Sequence, residues 1–304
     1  MRSDLDGLAE QLGGLARPNV RIGARTTYRV GGRAALFVEL SCDGDVERLA
    51  TILPLFDVPL LLIGKGSNTL VSDAGWKGLC VRVGDDLAEI RVEGSGVTAG
   101  AGAAYPVLAR RSAAAGLTGM EWAVGIPGSV GGAVRMNAGG HGAETAERLV
   151  SARVVDLKSG TESSRSTDEL GLSYRRSGLG PADLVLEATF RLAQGDPAES
   201  ARRIAEIVRW RRENQPGGQN AGSVFANPPD DSAGRLIDAA GLKGLRIGTA
   251  CVSDKHANFI QADDGGSADD VRRLIDLVRK TVAERTGVEL AVEVRLVGFA
   301  GAAS

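Results

Sequence analysis

Residues 116–142 read GLTGMEWAVGIPGSVGGAVRMNAGGHG and contain nine glycines. The apolar residues among them argue against a disordered linker, because disordered segments contain few side chains that can enter a core. Glycine lets backbone N–H groups approach an anion closely and adopts positive φ without strain. The segment therefore predicts a loop that lines a diphosphate with N–H groups around Pro127.

A second glycine segment, IGKGSNTLVSD at residues 63–73, follows an apolar run at residues 58–62. Either loop alone could instead mark turns and tight packing, but two phosphate-type loops suggest one large cofactor. Neither has the G-x-G-x-x-G spacing of a Rossmann fold, because the first ends in Thr69 and the second is spaced G-x-x-G-x-x-G. A Rossmann domain for a nicotinamide cofactor is not predicted.

Hydrophobic periodicity predicts the local structure around these loops. We expect strand, helix and strand over residues 36–40, 44–53 and 59–63, with Asp45 capping the helix. A hairpin is expected around Gly94-Ser95-Gly96, a helix over 105–115 and a half-buried strand over 184–192. Near the end, a helix is expected to begin at Ser267 and end at Gly287. A strand over 290–297 should then place Glu293 and Arg295 on one face.

Composition limits the classes of partner. The 304 residues are 43% hydrophobic, enough for about two or three domains with real cores. A net charge of -2 gives no broad basic field for nucleic acid or an anionic membrane. Neither a signal peptide nor a membrane-spanning apolar stretch is evident, which predicts a cytoplasmic protein without membrane insertion. Three scattered cysteines and two histidines predict reduced thiols and no metal site.

Three short motifs could bear chemistry. They are Tyr174-Arg175-Arg176-Ser177, NAGSVFANP at residues 220–228, and Val292-Glu293-Val294-Arg295. Together with TTYRVGG at residues 26–32 and both glycine loops, they resemble the UDP-N-acetylenolpyruvoylglucosamine reductase family, in its shorter type that lacks a tyrosine-bearing loop. The resemblance runs in order from about residue 25 to residue 297.

The resemblance implies an α+β fold. It implies an FAD-binding portion of the PCMH type, built from two α+β subdomains, followed by a C-terminal α+β substrate-binding domain. A change of composition at Gln194-Gly195-Asp196-Pro197 favours a boundary there. The expected domains are residues 1–83 and 84–194 for FAD and residues 195–304 for the substrate.

The resemblance also implies the reaction. NADPH would reduce non-covalently bound FAD, which would then deliver hydride to the methylene carbon of a UDP-N-acetylglucosamine enolpyruvate. Ser223 would protonate the adjacent carbon, while Arg175 and Glu293 would stabilise the enolate. A bare carboxylate would repel an enolate, so Glu293 should be protonated or should orient an arginine or a water. The pH dependence of a Glu293→Gln variant tests this condition.

The remaining site residues are carried over from the same motifs. Those expected to bind FAD are Tyr28, Arg29, Gly64, Lys65, Gly66, Ser67, Asn68, Gly125, Ile126, Pro127, Gly128, Ser129, Gly131, Gly132, Asn137 and Gly139. Those expected to bind the nucleotide-sugar substrate are Tyr174, Asn227, Arg235 and Lys243. The sequence does not indicate an oligomeric state.

Two departures from the family pattern leave alternatives open. Ala226 stands where the family commonly has lysine, and Ala291-Val292-Glu293 stands where the family often has Glu-Pro-Glu. One alternative function is an FAD-dependent oxidase of the same wider fold. Another is a flavoprotein that binds a nucleotide sugar with weakened catalysis.

Overall fold

The computed structural model describes residues 2–300, so the outer ends of the first and last predicted domains lie outside it. Its contacts divide the chain into two units. The first comprises Met1–Pro18, Ala35–Lys65 and Gly78–Arg211, and the second comprises Asn19–Ala34, Gly66–Lys77 and Arg212–Ser304. Each unit has its own hydrophobic core.

Helices and strands alternate along the described chain. The helices are α1 (Arg2–Leu12), α2 (Asp43–Ile52), α3 (Tyr105–Ala114), α4 (Val130–Arg135), α5 (Pro197–Asn214), α6 (Ala233–Ala239) and α7 (Ala268–Thr286). The strands are β1 (Ala16–Arg21), β2 (Arg33–Leu40), β3 (Leu60–Ile63), β4 (Thr69–Val71), β5 (Trp76–Val83), β6 (Ile90–Glu93), β7 (Gly96–Gly100), β8 (Leu117–Thr118), β9 (Gly139–Gly140), β10 (Ala143–Glu144), β11 (Leu149–Asp156), β12 (Thr161–Ser166), β13 (Asp183–Arg191), β14 (Ala193–Gln194), β15 (Arg246–Ile247), β16 (Ala250–Val252), β17 (Ile260–Ala262) and β18 (Arg295–Val297).

The predicted strand, helix and strand near the N-terminus are confirmed as β2, α2 and β3. They belong to a four-stranded sheet of order β1-β2-β5-β3, in which β5 lies between the two predicted strands and runs parallel to β3. The prediction that Asp45 caps α2 is wrong. The residue before the helix is Cys42, and Asp45 instead accepts a hydrogen bond from the Ser41 amide at 2.8 Å.

The second sheet of the first unit has the order β12-β11-β13-β7-β6. Its predicted hairpin is confirmed, since Val92 pairs with Val97 and Gly94 has φ of 60° at the turn. The predicted alternation along β13 is confirmed from Leu186 to Phe190 but not at Val185, which is buried like Leu184 and Leu186 because the register with β11 shifts there. The helix expected over 105–115 is α3, which the left-handed Gly116 follows.

The second unit packs around α7. As predicted, the Ser267 hydroxyl caps this helix by accepting from the Asp270 amide, and Gly287 ends it with φ of 74°. The predicted strand over 290–297 is too long. Only Arg295–Val297 forms a strand, parallel to β4, whereas Val292 bridges to Phe225. The backbone partner changes from Val224 to Asn68 between Val294 and Arg295, so the pairing is interrupted there.

The grouping into units differs from the predicted domain ends. It keeps α5 in the first unit as far as Arg211 and gives the second unit two segments that precede residue 83. The reason is that β4 pairs with β18, although the two strands are far apart in sequence. The three-domain division stays a prediction.

Glu121 anchors the start of the glycine-rich segment. This buried carboxylate accepts hydrogen bonds from Thr118 Oγ1 at 2.7 Å, the Gly119 amide at 2.8 Å and Ser200 Oγ of α5 at 2.5 Å. Burial alone would raise the pKa of Glu121, but these hydrogen bonds outweigh it and hold the pKa below its usual value. The contacts connect residues 118–121 to α5.

We expect Glu121→Gln to lower the free energy of unfolding by about 1.5–3 kcal/mol at pH 7, because hydrogen bonds to a charged group are lost. A lowered folded-state pKa gives stability that is present above the unfolded pKa of about 4.3 and is lost as the pH falls through the folded pKa. The difference between wild type and variant should therefore shrink below pH 4.3. Urea unfolding across this pH range measures it, with the exposed Glu93→Gln as control. A difference that does not change with pH would contradict the assignment.

Candidate active site

The two glycine segments touch inside the first unit. A Cβ built on Gly64 would lie 2.4 Å from the Ser129 Oγ, so a side chain at position 64 would displace this hydroxyl. The Ser129 hydroxyl also accepts from the Gly132 amide at 3.4 Å and caps α4. One ligand could therefore contact both segments at this point.

The glycines of the second segment have different functions. The Gly131 amide donates to Ala101 O at 3.0 Å, and a Cβ on Gly131 would lie 2.9 Å from Ala101 Cβ. Gly131 thus allows α4 to pack closely, and its N–H is not available to a phosphate. Gly128 has φ of 128°, and its carbonyl accepts from the Tyr105 amide.

The first segment contributes residues to both units. Lys65, in the first unit, donates to Asp85 at 2.6 Å, and this hydrogen bond holds the pKa of Asp85 below its usual value. Gly66, in the second unit, has φ of 65°, and its carbonyl accepts from the Thr27 amide at 3.1 Å. That bond joins the TTYRVGG segment to the GKGSN loop within the second unit.

Tyr28, predicted to contact FAD, lies entirely inside the core of the second unit. Its side chain is buried among the apolar residues there. Its hydroxyl has no hydrogen-bond partner among residues 2–300. A buried hydroxyl without a partner costs about 1–3 kcal/mol of stability.

We therefore expect Tyr28→Phe to raise the free energy of unfolding of the apoprotein by about 1–3 kcal/mol. The matched control is Tyr105→Phe, because the equally buried Tyr105 hydroxyl bonds to Thr145 Oγ1 at 3.0 Å and its removal should destabilise. Denaturant unfolding of both variants measures the difference in sign. A loss of stability in Tyr28→Phe would contradict this account, and a parallel FAD titration tests whether the hydroxyl contacts the cofactor.

Arg175 lies in a tight turn of the first unit. Ser173 and Arg176 exchange backbone hydrogen bonds at 3.0 Å, and Arg175 between them has φ of 56°. Its guanidinium donates to Gly139 O at 2.9 Å and lies 4.8 Å from the Tyr174 ring centre. The second glycine segment therefore fixes the direction of this side chain.

Asn137 supports the same turn. Its side-chain amide donates to Ser173 O at 3.0 Å and accepts from the Ala146 amide at 2.9 Å. The residue is fully buried. Its side chain thus connects protein segments, and the predicted contact between Asn137 and FAD stays a prediction.

Ser223 and Glu293 come together in the second unit. The Glu293 amide donates to Val224 O at 2.8 Å, next to Ser223. The Asn68 side chain donates to Glu293 O at 3.1 Å, and Asn68 O accepts from the Arg295 amide. The serine loop (residues 220–228) and Asn68 of the first glycine segment therefore both lie next to the segment 291–297.

The Ser223 side chain is half-buried. No described residue forms a hydrogen bond with its hydroxyl, which leaves the proton available to a substrate.

The predicted substrate residues of this unit are held by neighbouring groups. Arg235 pairs with Asp231, and this hydrogen bond lowers the pKa of Asp231 to about 2. Lys243 donates to Asp238 at 2.7 Å. Asn227 accepts from the Ala233 amide at the start of α6. Arg235 and Lys243 remain exposed, but a phosphate would compete with carboxylates for them.

Two groups of contacts were not assigned from the sequence. Asn258 pairs through its side chain with both backbone groups of Phe225, two residues after Ser223. In the first unit, the His141 ring packs edge-on against Trp210 with centres 5.1 Å apart. Burial and nearby Arg211 lower the pKa of His141.

The only sequence signal for Asn258 was its place in the segment SDKHANF at residues 253–259.

The part of the chain that the structure describes has neither a membrane-spanning helix nor a cluster of metal-binding side chains. No helix within residues 2–300 is long and apolar enough to cross a membrane. No cluster of three or more His, Cys, Asp or Glu side chains there could hold a metal ion. Cys42, Cys80 and Cys251 carry free thiols.

Comparisons with known proteins agree over nearly the whole chain. Residues 34–164 match the family described as FAD binding domain, and residues 214–297 match UDP-N-acetylenolpyruvoylglucosamine reductase, C-terminal domain. A reductase of that name from Rubrobacter xylanophilus is 43% identical over 96% of this chain and 99% of its own length. One from Bacillus subtilis is 38% identical over 98% of this chain and 99% of its own length.

A solved structure extends the similarity to the fold. The crystal structure of a UDP-N-acetylenolpyruvylglucosamine reductase from Thermus caldophilus has a TM-score of 0.81 and 36% identity. The match covers 93% of this chain and 99% of that one. The predicted α+β architecture with an FAD-binding portion is confirmed.

Proposed function

Because the chain belongs to the UDP-N-acetylenolpyruvoylglucosamine reductase family, we propose that it reduces UDP-N-acetylglucosamine enolpyruvate to UDP-N-acetylmuramate with NADPH, a step of peptidoglycan precursor synthesis. The observation that carries this conclusion is 43% identity over 96% of the chain. The protein is an FAD-dependent oxidoreductase. Arg175, Ser223 and Glu293 stand where the family's motifs have catalytic residues.

The residues of the two glycine segments fit a flavin dinucleotide. Gly64 lies against Ser129 with no space for a Cβ, so the two loops form one surface. Serine hydroxyls, backbone amides and the Lys65 ammonium are donors suited to a diphosphate. Bound FAD would supply the hydride-transfer chemistry between NADPH and the enolpyruvyl group. Gly64, Lys65, Gly128 and Ser129 are the first candidates to hold it.

Ser223 is proposed to be the proton donor. A neutral hydroxyl gives its proton to carbon only when that carbon is strongly basic, as an enolate carbon is. No histidine contacts Ser223 in the described structure, so activation as a nucleophile is not supported. The hydroxyl's lack of a protein partner supports donation to a substrate carbon.

Arg175 is proposed to hold the substrate carboxylate. A planar guanidinium binds a carboxylate through two parallel hydrogen bonds and stabilises the charge that develops in an enolate. The hydrogen bond from the Arg175 guanidinium to Gly139 O fixes the orientation of the guanidinium before the substrate binds. Glu293, whose backbone lies beside the serine loop, is proposed to stabilise the same enolate.

Further assignments belong to the same proposal. Tyr174, Asn227, Arg235 and Lys243 would contact the nucleotide sugar. The predicted division into residues 1–83, 84–194 and 195–304 is proposed as the functional one. The reaction would take place in the cytoplasm, because both NADPH and UDP-sugars are made there.

Anaerobic stopped-flow absorbance tests the function. The flavin is first reduced with NADPH, and UDP-N-acetylglucosamine enolpyruvate is then added. Fast reoxidation that yields UDP-N-acetylmuramate is the expected result. Reoxidation by oxygen alone would favour an oxidase, and flavin that NADPH does not reduce would favour a protein that only binds nucleotide sugar.

A further inference from the structure

We propose that Asn258 is the positioning residue of the serine loop, and that its side-chain amide sets the place from which Ser223 donates its proton. The inference rests on the proposed function, because it assigns Asn258 a task in the proton-transfer step. Asn258 would act through the backbone of the loop and would not touch the substrate.

The contact between Asn258 and the loop has two hydrogen bonds. The Asn258 Oδ1 accepts from the Phe225 amide at 3.0 Å, and its Nδ2 donates to Phe225 O at 2.8 Å. The side chain is 3% exposed, so water does not compete for these groups. Phe225 bridges to Val292 on one side, and on the other side the Asn258 side chain bonds its backbone N–H and C=O as a neighbouring strand would.

Backbone hydrogen bonds hold Val224, which lies between Phe225 and Ser223. The Val224 amide donates to Asn258 O at 2.9 Å, and Val224 O accepts from the Glu293 amide at 2.8 Å. Residues 224 and 225 are therefore fixed on both sides. Asn258 supplies three of these contacts, two from its side chain and one from its carbonyl.

The chain before Ser223 is held by Asn220, whose Oδ1 accepts a hydrogen bond from the Gly222 amide at 3.0 Å. Gly222 has φ of 75°, and a Cβ built on it would meet no atom within 4 Å. The Ser223 hydroxyl forms no hydrogen bond with any described residue. Asn258 thus constrains Ser223 from its C-terminal side, and Asn220 constrains it from its N-terminal side.

Separate measurement of the two half-reactions distinguishes positioning of Ser223 from a general effect of Asn258 on the folded structure. Reduction of FAD by NADPH requires no proton from Ser223, whereas reoxidation by the enolpyruvyl substrate does. A displacement of about 1 Å in a reacting group can cost on the order of 100-fold in rate. We expect Asn258→Asp and Asn258→Leu to slow substrate-driven reoxidation by about 10- to 100-fold. Reduction by NADPH should stay within about 2-fold, and the exposed Asn19→Asp is the control.

A double-mutant cycle with Ser223→Ala is the deciding measurement. If Asn258 acts through the serine hydroxyl, its substitution should slow the Ser223→Ala enzyme by less than about 3-fold. Hydrogen exchange of residues 221–227 in the FAD-free protein should also become faster, because the Phe225 amide loses its acceptor in Asn258→Leu. If Asn258→Leu does not fold, Asn258→Asp still tests the lost donor.

The outcomes are distinct. Equal slowing in the Ser223 and Ser223→Ala backgrounds, or normal reoxidation in Asn258→Asp and Asn258→Leu, would overturn the inference alone. A Ser223→Ala enzyme as fast as wild type would overturn the assigned role of the serine, and the inference with it. Slowing that depends on Ser223, together with faster exchange in the loop, would support it.

Discussion

Replacing Ser223 with alanine is expected to slow substrate-driven reoxidation of the flavin by about 10²–10⁴-fold, the usual contribution of a positioned general acid. Reduction of the flavin by NADPH should be unchanged, because that step needs no proton from this residue. The Ser223 hydroxyl has no protein partner among residues 2–300, so its removal leaves no other group unpaired and should change the free energy of unfolding little. Stopped-flow measurement of both half-reactions gives the two rates.

The control for this prediction is Ser164→Ala, an exposed serine on β12 in the first unit. It should match wild type in both half-reactions. A Ser223→Ala enzyme that forms UDP-N-acetylmuramate at a normal rate would show that the proton comes from water or from another residue. Equal slowing of both half-reactions would point instead to damage in FAD binding.

Local patterns predicted the parts of the fold that depend on neighbouring residues. The caps of α7, the turn at Gly94 and the alternation in the second half of β13 are set by residues a few positions apart, so one sequence was enough. The length of β18 was not predicted, because its partner β4 lies more than two hundred positions away in the chain. The place of β5 between β2 and β3 depends on long-range pairing in the same way.

In the candidate site too, residue types could be recognised from the sequence, whereas long-range contacts could not. The motifs nominate Arg175, Ser223 and Glu293 as catalytic residues, because guanidinium, hydroxyl and carboxylate groups are recognisable in sequence, and these roles stay predictions. They did not predict the supporting contacts, because Asn137 and Asn258 bond to backbone groups 36 and 33 positions away. Nothing in the side chain of an asparagine shows that its partner will be a distant peptide group.

Replacing Arg175 with alanine is expected to lower the rate of substrate-driven reoxidation by about 100-fold or more, since one well-placed donor to a developing anion contributes about 2.7–4 kcal/mol. The binding of substrate should weaken as well, because the guanidinium is proposed to bind the substrate carboxylate in the ground state too. Arg175→Lys should recover only part of the rate, since an ammonium keeps the charge but not the planar fork. Single-turnover rates at several substrate concentrations separate the two effects.

Two further variants show whether position or charge matters at Arg175. The neighbouring Arg176→Ala removes an exposed guanidinium from the same turn and should behave as wild type. Gly139→Ala keeps Arg175 but adds a Cβ 2.9 Å from its Nη1 and 2.7 Å from Ala143 O, so the guanidinium and the facing backbone must both shift. If FAD remains bound, Gly139→Ala should therefore share the slow reoxidation of Arg175→Ala. Normal turnover in Arg175→Ala would remove arginine from the mechanism, whereas normal turnover in Gly139→Ala alone would show that its side chain can bind the carboxylate from another position.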